Sequence, residues 1–93
     1  MDSWPHKDPD ETADYQFDWS ARLETGETIA SSEFILESGD VVLGDKDVVD
    51  AVTTIWLSGG TVGTISVITN RVTTSNVPPR IWDKSAKLRI RSK

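Results

Sequence analysis

The sequence predicts an all-β domain, a sandwich or barrel of six or seven short strands behind an extended N-terminal arm. Three observations carry that prediction. Tyr15, Phe17 and Trp19 alternate with Gln16, Asp18 and Ser20, the period of a pleated strand with one aromatic face. Runs rich in Ile, Val and Thr recur between breaks rich in Gly, Pro and Ser. No window of the 93 residues sustains an apolar stripe at helical spacing.

The elements follow in order. Residues 1–13, with Pro5, Pro9 and many acids, read as an extended arm that is ordered only if something holds it. The sandwich domain occupies residues 14–93 in this reading. "YQFDWS" (15–20) is its first strand, and "ARLETGET" (21–28) a connection turning at Gly26. "TIASSEFIL" (28–36) is a second strand, bent or bulged at Ser31-Ser32 where its alternation fails, and "ESGD" breaks it. "VVLG" (41–44) is a short third strand and "DKDVVD" (45–50) a polar connection. "AVTTIWLS" (51–58) is apolar on both faces, which suits a strand in the middle of a sandwich with Trp56 in the core. The β-prone run 64–74 ends at "SNVPP", because proline cannot donate to a ladder. "AKLRIRSK" (86–93) is the last strand, with Leu88 and Ile90 inward and Lys87, Arg89 and Arg91 outward.

Composition bounds the chemistry. Without Cys, neither a disulfide nor a thiolate metal site staples the fold, so packing, partners or both must hold it. Four Trp can anchor a small core. No apolar run is long enough to span a bilayer, and "MDSWPHKDPDETAD" lacks the apolar stretch of a signal peptide. Residues 1–50 carry 14 Asp or Glu against three Lys or Arg, a balance of −11. Residues 51–93 carry seven Lys or Arg against Asp83, a balance of +6. With so few basic residues and no aromatic-basic stacking platform, nucleic acid is disfavoured. The division fits acidic and basic strands side by side, or opposite faces that meet in a repeating assembly.

The glycines of "WLSGGTVGTISVITNRVTT" (56–74) raise the question of a phosphate cradle. A P-loop needs a lysine directly after its last glycine and a helix to follow, whereas Gly63 is followed by Thr64, Ile65 and a strand. Adjacent Gly59 and Gly60 also break the dinucleotide pattern, so the stretch reads as a hairpin turn between two central strands. The acidic clusters "DPDETAD" and "DKDVVD" lack the spacing of a calcium loop and read as solvated loops. His6 is the single histidine and lies in the arm, a poor place to preorganise a base. No catalytic residue, metal or cofactor is therefore assigned. Trp4 and Trp82, near chain breaks, are candidates for surface contact, with a partner protein favoured over a sugar. Together with His6, Arg89 and Arg91 they make the candidate partner-binding set.

The segments "DPDETADYQFDWSARLETGETIASSEFIL" and "WLSGGTVGTISVITNRVTTS" resemble a family of small tailed-bacteriophage structural proteins. The features that carry the likeness are Lys7-Asp8-Pro9-Asp10, Asp14-Tyr15, Asp18-Trp19-Ser20, Leu23, Gly26, Thr28-Ile29, Trp56-Leu57-Ser58-Gly59-Gly60 and Thr69-Asn70. The resemblance implies an immunoglobulin-like antiparallel β-sandwich in a virion protein made in the bacterial host cytoplasm and present in several copies. The expected role is capsid decoration or cement, binding the major capsid protein and possessing no enzymatic activity. The alternatives are a head-tail connector, a tail or baseplate component, or a glycan-binding adhesion module. In each, the arm would be ordered across a neighbour, with Trp4 as its anchor.

Overall fold

The computed structural model describes residues 1–92. Seven strands run β1 (Asp2–Ser3), β2 (Ala13–Asp18), β3 (Ile29–Ser38), β4 (Val41–Val49), β5 (Val52–Gly59), β6 (Ile65–Thr74) and β7 (Ile81–Arg89). They form a four-stranded sheet in the order β1-β7-β6-β3 and a three-stranded sheet in the order β2-β5-β4. Lettered A to G in chain order, the smaller sheet is BED and the larger is CFG with strand A added beside G. That is the immunoglobulin-like Greek key with its first strand moved to the other sheet.

The core lies between the sheets, built from alternate residues of each strand. Tyr15, Phe17, Ile55 and Leu57 from one sheet meet Ile68, Val72, Ala86 and Leu88 from the other, and Trp19 and Ile90 close it; all are buried. A polar tie crosses this core at Asn70, which is wholly buried on β6. Its Oδ1 accepts from the Trp19 indole Nε1 at 3.0 Å and from the Thr53 hydroxyl at 2.6 Å. Its Nδ2 donates to Ser32 Oγ and to the Glu33 carbonyl, both at 2.8 Å. One side chain thus fixes β6 to β3 within a sheet, and to β5 and the end of β2 across the sandwich. Antibody domains join strands B and F by a disulfide, and a buried, fully partnered amide links the same pair here.

Four expectations change. "DKDVVD" is strand, because Lys46–Val49 pairs with Val52–Ile55 in a tight hairpin that turns at Asp50, with φ of 53°. As a sheet edge, β4 tolerates charges that a central strand would not. The last strand starts at Ile81, since Ile81–Ser85 pairs with Thr69–Thr73. The glycine-rich loop is no hairpin: β5 and β6 belong to different sheets, and residues 60–64 cross between them. Trp56 lies on the outer face of β5, 43% exposed.

The N-terminal residues lie on their own domain. β1 runs parallel to β7, with Asp2 opposite Ala86 and Ser3 opposite Lys87. Trp4 N then donates to Lys87 O at 3.0 Å and Lys7 N to Arg89 O at 3.1 Å, extending the ladder. Where the sequence leaves this segment for a neighbour to order, a strand of the same chain orders it.

Candidate functional site

At one end of the sandwich the "KDPD" and "WLSGG" segments meet. Lys7 is fully buried, and its Nζ donates to the carbonyls of Gly59 at 2.7 Å and Asp8 at 2.9 Å. A tight turn shapes the approach, since Glu11 Oε1 accepts from Asp8 N, and Asp8 Oδ1 from Asp10 N. On the loop, Gly60 has φ of 99°, and a Cβ there would sit 2.9 Å from the Ile90 side chain. Gly63 N and Thr64 O bond Ile90 across the loop, each at 3.0 Å. Asp40 accepts from the backbone and hydroxyl of Thr61. A phosphate cradle needs amides turned toward the ligand. Here the loop turns the Gly59 carbonyl toward the Lys7 side chain, and the amides of Thr61, Gly63 and Thr64 and both threonine hydroxyls bond within the chain. The glycines make a structural clasp.

Four of the five predicted contact residues come together at this end. Trp4 is half-buried, stacked on Tyr15 with ring centres 4.9 Å apart and packed against Phe17 at the same distance. It therefore anchors the arm to the domain's own core. His6 is exposed, its Nδ1 3.4 Å from Arg91 Nη1. Lys87 and Arg89 project from the outer face of β7 and Arg91 follows, all exposed while Leu88 and Ile90 between them are buried. Among the described residues none of these three cations has an ion-pair partner. Ile65, opposite Arg89 in the ladder, and Val62 stand beside them, 44% and 54% exposed. A cleft lined by Ser3, Trp4, His6, Ile65, Lys87 and Arg89 runs along this cationic strip.

Trp82 is elsewhere. It lies seven residues from Arg89, about 24 Å along an extended strand. Its ring stacks on Trp19 at 6.2 Å, with the Arg22 guanidinium 4.5 Å above it. Both contacts are made within its own domain.

Trp56 is the surface aromatic that pattern reading misses. It stands opposite Asp14 in the ladder, on the central strand of the smaller sheet. On its other side β4 bulges between Leu43 and Lys46, and a Cβ at Gly44 would sit only 3.1 Å from Trp56 O. Alternation places Gln16, Asp18, Thr54, Asp47, Val42 and Val49 on the same outer face, the two valines 58% and 60% exposed. The detectable signal is Asp14, Gln16 and Asp18 on the partner strand: a face acidic on β2 is a wet face on β5 too.

The carboxylates nearest to chemistry are committed to structure. The backbone N–H of Ser20 holds Asp18 below the ordinary carboxylate range. The Thr61 hydroxyl does the same for Asp40, and the Arg71 guanidinium for Asp83, through a 2.9 Å contact. Among the described residues no three His, Asp or Glu converge as a metal site. What the geometry offers is two surfaces on opposite sheets, one cationic and one acidic around an indole, each with exposed aliphatic side chains.

No curated protein matches the chain. A family model described as podophage GP4 fiber-tail adaptor protein gp77 matches residues 7–89, which begin and end at the two residues whose backbones bond across the β1–β7 edge. That span covers nearly the whole sandwich and both signature segments, so the chain belongs to the podophage GP4 fiber-tail adaptor protein gp77 family and is a structural protein of the tailed-phage virion.

Proposed function

We propose that this chain is an adaptor that joins a fibre to the tail by protein–protein binding, without catalysis. The observation that carries the reading is an elongated body with a separate loop at each end, residues 60–64 and residues 75–80. The domain measures 44 × 19 × 19 Å, and its opposite sheets present the cationic strip and the acidic Trp56 face. An adaptor must hold distinct partners at fixed separation, and an interior tied by Asn70 and clasped by Lys7 resists the distortion that load would impose. The family description favours the tail over the head, so the decoration role expected from the sequence gives way to the tail component. The rings of Trp4 and Trp82, the two indoles first considered for sugar stacking, are stacked within the domain.

Binding experiments with purified virion parts test this. The chain should form a stable complex with fibre-less tails and then recruit fibre protein, and should not bind empty capsid shells. Saturation of shells, with no affinity for tails or fibres, would overturn it.

A further inference from the structure

The two outer surfaces complement each other. On the smaller sheet Trp56 is flanked by Asp14 and Asp47, with Val42 and Val49 exposed beside them. On the larger sheet and just beyond the end of β7, Lys87, Arg89 and Arg91 flank exposed Ile65. Each surface mixes aliphatic area with one sign of charge, and the signs are opposite. The cations lack ion-pair partners among the described residues, and a guanidinium is the group best suited to lie over an exposed indole. Both surfaces also lie at the same level of the long axis. Trp56 is three residues from the Gly59 carbonyl that Lys7 holds, and Arg89 shares a backbone hydrogen bond with Lys7.

We infer that these surfaces are each other's partners in adjacent copies of this chain. The cationic strip of one copy packs on the Trp56 face of the next, with Arg89 or Arg91 over the indole and Asp14 and Asp47 facing the basic side chains. A patch that meets a different patch is a heterologous contact, so copies add side by side with their long axes aligned rather than pairing off as a two-fold dimer. This leaves the ends of the 44 Å body, at the residue 60–64 loop and the residue 75–80 loop, free for other virion proteins. The contact does not depend on which proteins those are, so it can fail while the adaptor reading stands, and the reverse.

Sedimentation of the full chain at rising concentration tests it. Mass should rise above that of a monomer in low salt and fall back as salt screens the charges. Trp56→Ala, which removes an interface aromatic of hot-spot type, should weaken association about 30-fold. Asp14→Lys with Asp47→Lys, and separately Lys87→Glu with Arg89→Glu, should each give a monomer with an unchanged melting temperature. Mixing those two variants should restore association, because each then presents a surface complementary to the other. A wild-type monomer up to about 1 mM would overturn the inference. So would association that survives either charge reversal, or a mixture that stays monomeric.

Discussion

Asn70→Leu is the substitution that most directly probes how the two sheets are joined. The change keeps the branched shape and the number of side-chain heavy atoms while adding bulk, so none of its effect comes from a cavity. It strands the Trp19 indole N–H, the Thr53 and Ser32 hydroxyls and the Glu33 carbonyl, all bonded to this one amide. At about 1–2 kcal/mol for each group, set against the apolar gain of a buried leucine, the net loss is about 4 kcal/mol. A 93-residue domain has about 5–14 kcal/mol in total, so the variant folds but melts roughly 15–30 °C lower. Thermal unfolding followed by near-ultraviolet circular dichroism reads this directly. Trp19 is fully buried and stacked on Trp82, so its signal reports the loss of the tie. A drop of less than about 5 °C would mean that the amide is not the bond between the sheets and would refute the reasoning.

Three further outcomes follow from the same structure. Gly60→Ala places a Cβ against the buried Ile90 side chain in a left-handed backbone, and should cost about 2 kcal/mol, read as a lower urea midpoint at unchanged slope. Arg71→Ala breaks the exposed pair with Asp83 and should leave the melting temperature nearly unchanged; a marked drop would show that the pair is coupled to the core. Asp18, Glu27, Asp40 and Asp83 all titrate below ordinary carboxylates when folded, Glu27 chiefly because the Glu24 N–H bonds it. Their contribution is fully present above the unfolded values near about 4 and is lost as pH falls through the lower folded values. The melting temperature should therefore hold from neutrality to about pH 5 and decline below about pH 4, and a flat profile down to about pH 2.5 would contradict these assignments.

The strands were legible where side chains alternate. Residues 15–18 and 86–90 show their inward and outward sets in the primary sequence, because a two-layer fold buries every second residue. The bulge near Ser31 was legible for the same reason, since a break in period marks a break in pairing. Hidden from pattern were features set by which strands become neighbours. The acids of residues 45–50 resemble a loop until β5 is known to pair with them at a sheet edge. Trp56 looks like core because its own strand is apolar on both faces, and only the pairing with Asp14 turns it outward. The cationic strip was visible in Lys87, Arg89 and Arg91, but its union with His6 and Trp4 depends on a parallel contact spanning the length of the chain. Lys7 shows the limit most clearly. A lysine among acids in a proline-rich arm gives no hint of burial, which arises only because the glycine-rich loop offers it a carbonyl.

The parallel run of the N-terminal segment along β7 has a mechanical meaning. A pull on the chain before Asp2 and after Arg91 draws the two segments past each other lengthwise. The bonds from Trp4 N to Lys87 O, Lys7 N to Arg89 O and Arg91 N to Lys7 O are then strained together in shear, whereas an antiparallel edge would unzip one bond at a time. The buried Lys7 ammonium on Gly59 adds a peg across the direction of slip. Tension is thus shared across the whole seam, so the domain should yield abruptly at high force and not fray from either end.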